Sequence, residues 1–200
     1  VLLININNLL FTTAFIKHPI DSFYYLKKKQ KGSYLGASII YGIMFVAYFI
    51  FLTSKGFIFQ FVEAADMDLV AIVFGFFGLS LLFIICNYLV TSINDGEGSI
   101  GELYKGVGYS LMPLALVYYL ATYLSHILTY NEEFLITLIM TVGAMATFVY
   151  FFIMVKETHY YEVKETIGSI FVSFFTMIML LLSTIIIYIL LSELVTLIRD

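Results

Sequence analysis

Five stretches of this chain, residues 34–53, 69–93, 107–130, 134–155 and 167–191, contain no Asp, Glu, Lys or Arg. Each is long enough to cross a bilayer, which takes about 20 apolar residues. The 10 basic and 14 acidic residues all fall in the remainder. A water-soluble core does not segregate charge so completely, whereas a membrane demands it, because a Lys or Asp at the centre of a span costs about 3 kcal/mol on insertion scales. With 62% hydrophobic residues and a mean hydropathy of +0.99, a soluble domain of this size would expose far more apolar area than such proteins tolerate. The expected fold is an all-α polytopic membrane helix bundle with five transmembrane helices. Residues 34–200 form the transmembrane domain and residues 1–33 a cytoplasmic or interfacial segment.

The lysines set the orientation. Lys17, Lys27, Lys28, Lys29 and Lys31 precede the first span, Lys105 follows the second, and Lys156 and Lys164 follow the fourth, so all eight fall on one side. The other side holds Lys55 and Arg199, with Glu63, Asp66, Asp68, Glu132 and Glu133. The positive-inside rule places the N-terminus in the cytoplasm and the C-terminus outside, which for a plasma-membrane protein is the expected topology. The net charge of −4 carries no nucleic-acid role. Cys86 is alone inside the second span, so it forms no intramolecular disulfide and reads as a buried apolar thiol. Val1 is not a natural start, and residues 1–16 show neither a basic n-region nor a small-residue cleavage site, so no signal peptide is expected.

Before the first span, Pro19 suits the first turn of a helix and Asp21 the positive end of its dipole. Ile16, Ile20, Phe23 and Tyr24 recur at helical spacing ahead of the lysines, which predicts an interfacial helix with its apolar face in the headgroup boundary. Residues 1–15 are apolar but carry Asn5, Asn7 and Asn8 and are too short to span; a peripheral or re-entrant helix is expected there. Tyr24, Tyr25, Tyr104, Tyr130, Tyr160 and Tyr161 at span ends fit aromatic anchoring.

The loop 94–106 contains the letters G-x-G-x-x-G at Gly96, Gly98 and Gly101. A dinucleotide site needs a preceding buried strand and an acidic residue about 20 positions on. Here a membrane helix precedes, and Tyr118, Tyr119 and Leu120 stand at that distance, so no nucleotide cofactor is expected. Asn94, Asp95 and Gly96 supply turn chemistry, and Ser99 followed by Glu102 has the form of a capping box.

The same region carries a family likeness. The run HPIDSFYYLK from His18, Asn87 near the cytoplasmic end of the second span, the turn DGEGS from Asp95 to Ser99, the segment GYSLMP from Gly108 to Pro113 and the short loop after the fourth span together resemble the Yip-type (Ypt/Rab-interacting protein) five-span family, bacterial branch. The likeness runs from His18 to the end and rests on order and spacing rather than on one motif. The acidic D-L-x-G-P element of eukaryotic trafficking members is missing, which weighs against a Rab-GTPase role. The resemblance implies a non-enzymatic accessory or scaffold protein, of the kind encoded near bacterial carbohydrate ABC importers, with transporter permeases as partners and a homo-oligomer as a further option. Pro19, Asp21, Asp95, Gly96, Gly98 and Tyr109 are the expected partner contacts.

Within the spans the features point to packing. Ser38 and Gly42, Ala71 and Gly75, and Ser169 and Ser173 are small residues four apart, which let helix backbones approach. Pro113, with Gly106 and Gly108 before it, predicts a kink in the third span. His126 is the sole ionisable residue in the five stretches, too little for a proton relay. His159 with Glu157 and Glu162 in KETHYYEVKE shows no ligand set of defined metal-binding spacing, and a solvated loop is expected. No carboxylate pair, Ser–His arrangement or metal motif marks an enzyme, so no catalytic, cofactor or metal residue is assigned. The alternative to a scaffold is a transporter or channel subunit with a solute or lipid pathway. It would need a polar lining or inverted repeats. Reversing Lys27, Lys28, Lys29 and Lys31 to Glu should perturb topology or docking; unchanged topology, membrane yield and partner recovery would remove the role given to this segment.

Overall fold

The computed structural model describes Phe15 and residues 18–29, 32–60 and 67–199. The helix expected over residues 1–15 lies, apart from Phe15, outside the described residues. So do Ile16, Lys17, Lys31, Glu63 and Asp66. The helices are α1 (Pro19–Lys28), α2 (Tyr34–Thr53), α3 (Leu69–Ile93), α4 (Ile100–Ser110), α5 (Met112–Ser125), α6 (Glu133–His159) and α7 (Val163–Arg199), with no strand among the described residues. Five helical runs are long and apolar enough to cross a membrane: α2, α3, α4 with α5, α6 with its lead-in turn, and α7.

Local chemistry fixes most helix starts. Ser33 accepts from the Gly36 N–H at 2.9 Å, Asp68 from the N–H groups of Val70 and Ala71, and Ser99 with Glu102 forms a reciprocal capping box. That box starts the third run at Ile100, ahead of the charge-free stretch 107–130, and so puts Glu102 and Lys105 on a helix. The run breaks at Leu111. Pro113 sits in the first turn of α5, where its missing N–H costs nothing, and the Leu111 N–H reaches only as far back as Gly108 O, at 3.3 Å.

The main core lies at the lysine-bearing end. Phe23 and Leu26 of α1, Ala37, Ile40 and Tyr41 of α2, Phe83 and Ile84 of α3, Leu103, Val107 and Tyr109 of α4, and Met154 and Val155 of α6 are all buried there. The apolar face of α1 is therefore only partly a lipid face: Ile20 is exposed, but Phe23 packs edge-on against Tyr150 of α6. A smaller cluster of Phe59, Ala121 and Ile136 closes the other end. Between them α5 packs on α2 and α6, α4 on α2 and α6, and α3 on α7.

Close backbone approach occurs, but at other glycines than the spaced pairs indicate. A Cβ on Gly143 would stand 2.6 Å from Val117 Cγ2, and one on Gly106 2.6 Å from Met154 Cγ. Gly42 and Gly75 meet nothing within 4 Å and Ala71 is exposed, so these three make no close backbone contact within the chain, while Ser38, also exposed, reaches α4 through its hydroxyl, 2.8 Å from that of Tyr104. The i, i+4 spacing marks a helix face, and at Gly42, Ala71 and Gly75 that face is left open. Ser169 and Ser173 are buried. Gly143→Ala should destabilise the bundle by about 1–3 kcal/mol through overpacking. Gly42→Ala should be neutral or stabilising by up to about 1 kcal/mol. Thermal unfolding of the two variants in one detergent checks the contrast.

Candidate functional site

Two helix stops meet at the lysine-bearing end. α3 ends with Asp95 in the left-handed region (φ 55) and the Gly96 N–H bonded back to Thr91 O at 2.8 Å. α6 ends the same way, with Tyr160 at φ 58 and the Tyr161 N–H on Lys156 O at 3.1 Å. Both are six-to-one closures of the kind that satisfies the last carbonyls of a helix. They leave the chain after each helix folded back across its end, and the Tyr161 hydroxyl joins them by donating to Asn94 O at 2.8 Å.

Between the stops lies the imidazole of His159, 2% exposed. Its Nδ1 accepts from the Gly98 N–H at 3.1 Å, so Nδ1 carries no proton. The proton is on Nε2, which donates to Asn87 Oδ1 at 3.2 Å, and Asn87 Nδ2 donates to Ser173 Oγ at 3.0 Å. One buried relay of bonds thus ties the turn after α3 to α6, α3 and α7. Tyr161 stacks on the ring at 5.3 Å between centroids. Gly96 and Gly98 make room: a Cβ on either would lie 2.7 Å from His159 Nδ1.

The bonds define the ring's state. His159 is the last residue of α6, and with one bond accepted at Nδ1 and one donated from Nε2 the imidazole is held neutral. Burial, followed by the Glu165 and Asp95 carboxylates, raises the Tyr161 phenol and keeps it a donor. The expectation of a solvated loop around His159 is overturned: the two reversals fold the loop inward and give both ring nitrogens a partner. A metal has no free nitrogen to bind, and Glu157 is paired with Lys156 at 3.0 Å. Tyr161 is likewise 8% exposed, a core residue rather than an interfacial anchor.

α1 clasps this site. Lys27 Nζ donates to Glu97 O at 2.7 Å and to Glu102 Oε2 at 2.8 Å, and Glu102 also accepts from the Ser99 N–H at 3.0 Å. One carboxylate therefore caps α4 and holds α1.

The expected contact residues divide. Asp21 and Asp95 are exposed, and Pro19 and Gly96 half-buried. Gly98 is buried under His159, and Tyr109 is fully buried with its ring stacked on Phe15 at 4.3 Å. A partner reaches neither, which corrects that expectation: the aromatic and glycine positions face inward because the core is at this end. His126, at the opposite end, bonds Ser54 O at 2.8 Å through Nε2 and fastens the turn after α2 to the end of α5, alongside the Gly56 N–H donating to Ser125 Oγ at 2.9 Å.

Every residue of this site, from Lys27 to Ser173, falls within residues 13–194, over which the chain matches the Yip1 domain family model. The protein belongs to the Yip1 domain family. No curated protein and no solved structure matches it. The Yip1 domain is not a known enzyme family, and in this member the one buried imidazole spends both nitrogens on holding helices together. Sequence reading named Asn87 and His159 separately but not their pairing across 72 positions; the only sequence signal for it was glycine at both 96 and 98, opposite a ring that needs the space.

His159→Phe keeps a ring of similar size but leaves the Gly98 N–H and the Asn87 amide without their partner, so the variant should be less stable at pH 7 by about 1–3 kcal/mol. Thermal unfolding of wild type and variant in one detergent checks this, and equal melting temperatures would refute the structural role of the imidazole.

Proposed function

We propose that this Yip1 domain protein is a non-enzymatic accessory or scaffold protein of the plasma membrane, N-terminus cytoplasmic, that docks on another membrane complex. The bacterial resemblance makes permeases of a carbohydrate ABC importer the partner class. The observation that supports this most is the uneven use of the spans. The longest buried chain of polar bonds runs through His159, Asn87 and Ser173 at one end, while the described residues of α7 beyond Met177 are exposed. A groove of about 500 Å³ between α3 and α7, lined by Phe74, Gly75, Gly78, Leu79 and Leu181, opens sideways. Gly75 and Gly78 meet nothing there, leaving a small-residue surface against which a foreign helix packs closely. A solute route would instead distribute polar groups along the bundle. The docking surface at the lysine-bearing end then consists of Asp21, Asp95 and the exposed parts of the turn and of α1.

Affinity recovery of the tagged protein from its native membrane in mild detergent, with mass spectrometry of what accompanies it, tests this reading. Stoichiometric permease is expected, reduced by combined Asp21→Lys and Asp95→Lys. Recovery of the protein alone, together with solute flux through liposomes containing only this chain, would replace the scaffold reading with the transporter one.

A further inference from the structure

The bonds around His159 and Glu102 leave one charge unexplained. Lys105 lies on the second turn of α4 and is 4% exposed, yet among the described residues it makes no hydrogen bond and no ion pair. Its contact is the face of Tyr34, 5.1 Å from Nζ to the ring centroid. Glu102, three residues before it on α4, acts on it through space, but Glu102 Oε2 already receives Lys27 and the Ser99 N–H. Two ammonium groups therefore share one carboxylate. A buried ammonium without a bonded anion is costly, and an ionisable group inside a membrane span marks a site by default.

Other unspent donors adjoin it. The N–H groups of Ile100 and Gly101 open α4 and have no acceptor among the described residues; such a pair at the positive end of a helix is suited to an anion. The hydroxyl end of Tyr34 lies over Gly101, where a Cβ would stand 3.2 Å from Tyr34 Cζ, and that hydroxyl has no bond among the described residues. Gly101 thus lets the ring lie flat along the first turns of α4, linking its open N–H groups to Lys105. Lysine side chains on a helix lean toward its N-terminus, which carries Nζ toward those donors. Tyr34 is 58% exposed and Ser38, bonded to Tyr104 at 2.8 Å, is also exposed, so the site opens toward lipid between α2 and α4. At about 1.5 Å per residue, Lys105 lies about 9 Å along the axis from Ser99, the cap that opens α4.

We infer that Lys105, Tyr34 and the first N–H groups of α4 form a binding site for a phosphate-bearing anion, most directly the headgroup of an anionic phospholipid. The lipid's phosphate supplies the acceptor oxygens that Lys105, the Tyr34 hydroxyl and the Ile100 and Gly101 N–H groups lack, and its acyl chains lie along α2 and α4. The site is independent of whichever protein partner the molecule docks on.

The full chain in nanodiscs of equal phosphatidylglycerol and phosphatidylcholine, released and analysed by native mass spectrometry, tests this. Wild type should retain phosphatidylglycerol over phosphatidylcholine by about fivefold, the factor one lysine is worth near an anionic surface. Lys105→Gln should lose that preference, while Lys164→Gln, an exposed lysine at the same end, keeps it. Tyr34→Phe, which retains the ring, should give an intermediate value and keeps the test decisive where Lys105→Gln fails to fold. A parallel melt in detergent with inorganic phosphate separates the sources. Stabilisation by phosphate that depends on Lys105, without lipid preference, assigns the site to a soluble phosphate. No preference in wild type and no effect of phosphate, or a preference unchanged in Lys105→Gln and Tyr34→Phe, overturns the proposal.

Discussion

The lysine-bearing end of the bundle depends on how one imidazole is held. Lipid gives helices no hydrophobic reason to associate, so what fixes their relative positions must be close packing and polar bonds that have no better partner elsewhere. His159 supplies both. It receives the Gly98 N–H, gives its proton to Asn87, and through Asn87 reaches Ser173, so the turn after α3 and three helices share one polar chain. Each such bond is worth only about 1 kcal/mol net, but breaking one in a dry site leaves a buried polar group whose desolvation is not recovered. The arrangement therefore selects one register of α3, α6 and α7 more strongly than its stabilisation alone indicates.

That choice explains the asymmetry of the molecule. With the His159 relay, the α1 clasp and the main core at one end, the other halves of α3 and α7 carry little internal packing. α7 has 37 residues, about 55 Å of helix against a hydrocarbon core of about 30 Å, and its distal part touches almost nothing within the chain. A structure built in this way is rigid where Lys27 meets Glu102 and exposes plain apolar helix elsewhere. Rigidity at the lysine-bearing end preserves the shape of the exposed turn and of α1, and the lateral faces remain for lipid or for other membrane proteins.

Five spans were legible in the sequence because a bilayer excludes charge, and exclusion leaves gaps in the pattern of Asp, Glu, Lys and Arg that need no knowledge of packing. The capping box at Ser99 and Glu102 was legible for a similar reason, since both partners sit three residues apart. The interior of the site was not. His159 stands among Lys156, Glu157, Glu162 and Lys164, and local composition there describes a wet loop; only the reversals at Asp95 and Tyr160, both left-handed without glycine, turn the ring inward. Small residues four apart were equally ambiguous. The spacing at Ser38 and Gly42 says that they share a face, but the direction of that face is set by α2 packing on α4 and α5, which is information carried by other segments. Gly143, isolated in its span, makes the tight contact with Val117 instead.

The glycines at 96, 98 and 101 show how one physical property yields the letters of an unrelated motif. In a dinucleotide fold, the missing Cβ lets a backbone approach a pyrophosphate. Here it lets the backbone approach rings: Gly96 lies against Tyr161 and His159, Gly98 against His159, and Gly101 against Tyr34. Substitution at the first two displaces the imidazole that orders the helices, whereas substitution at the third displaces the ring that covers Lys105. The spelling G-x-G-x-x-G thus serves two neighbouring structures on opposite sides of the Ser99 cap, one closed and fully bonded, the other with donors still unspent. The closed side accounts for why the end of the bundle holds its shape. The open side is where that shape has chemical capacity left over, and Glu102, bound to Lys27 on one side and facing the unpaired Lys105 on the other, lies between them.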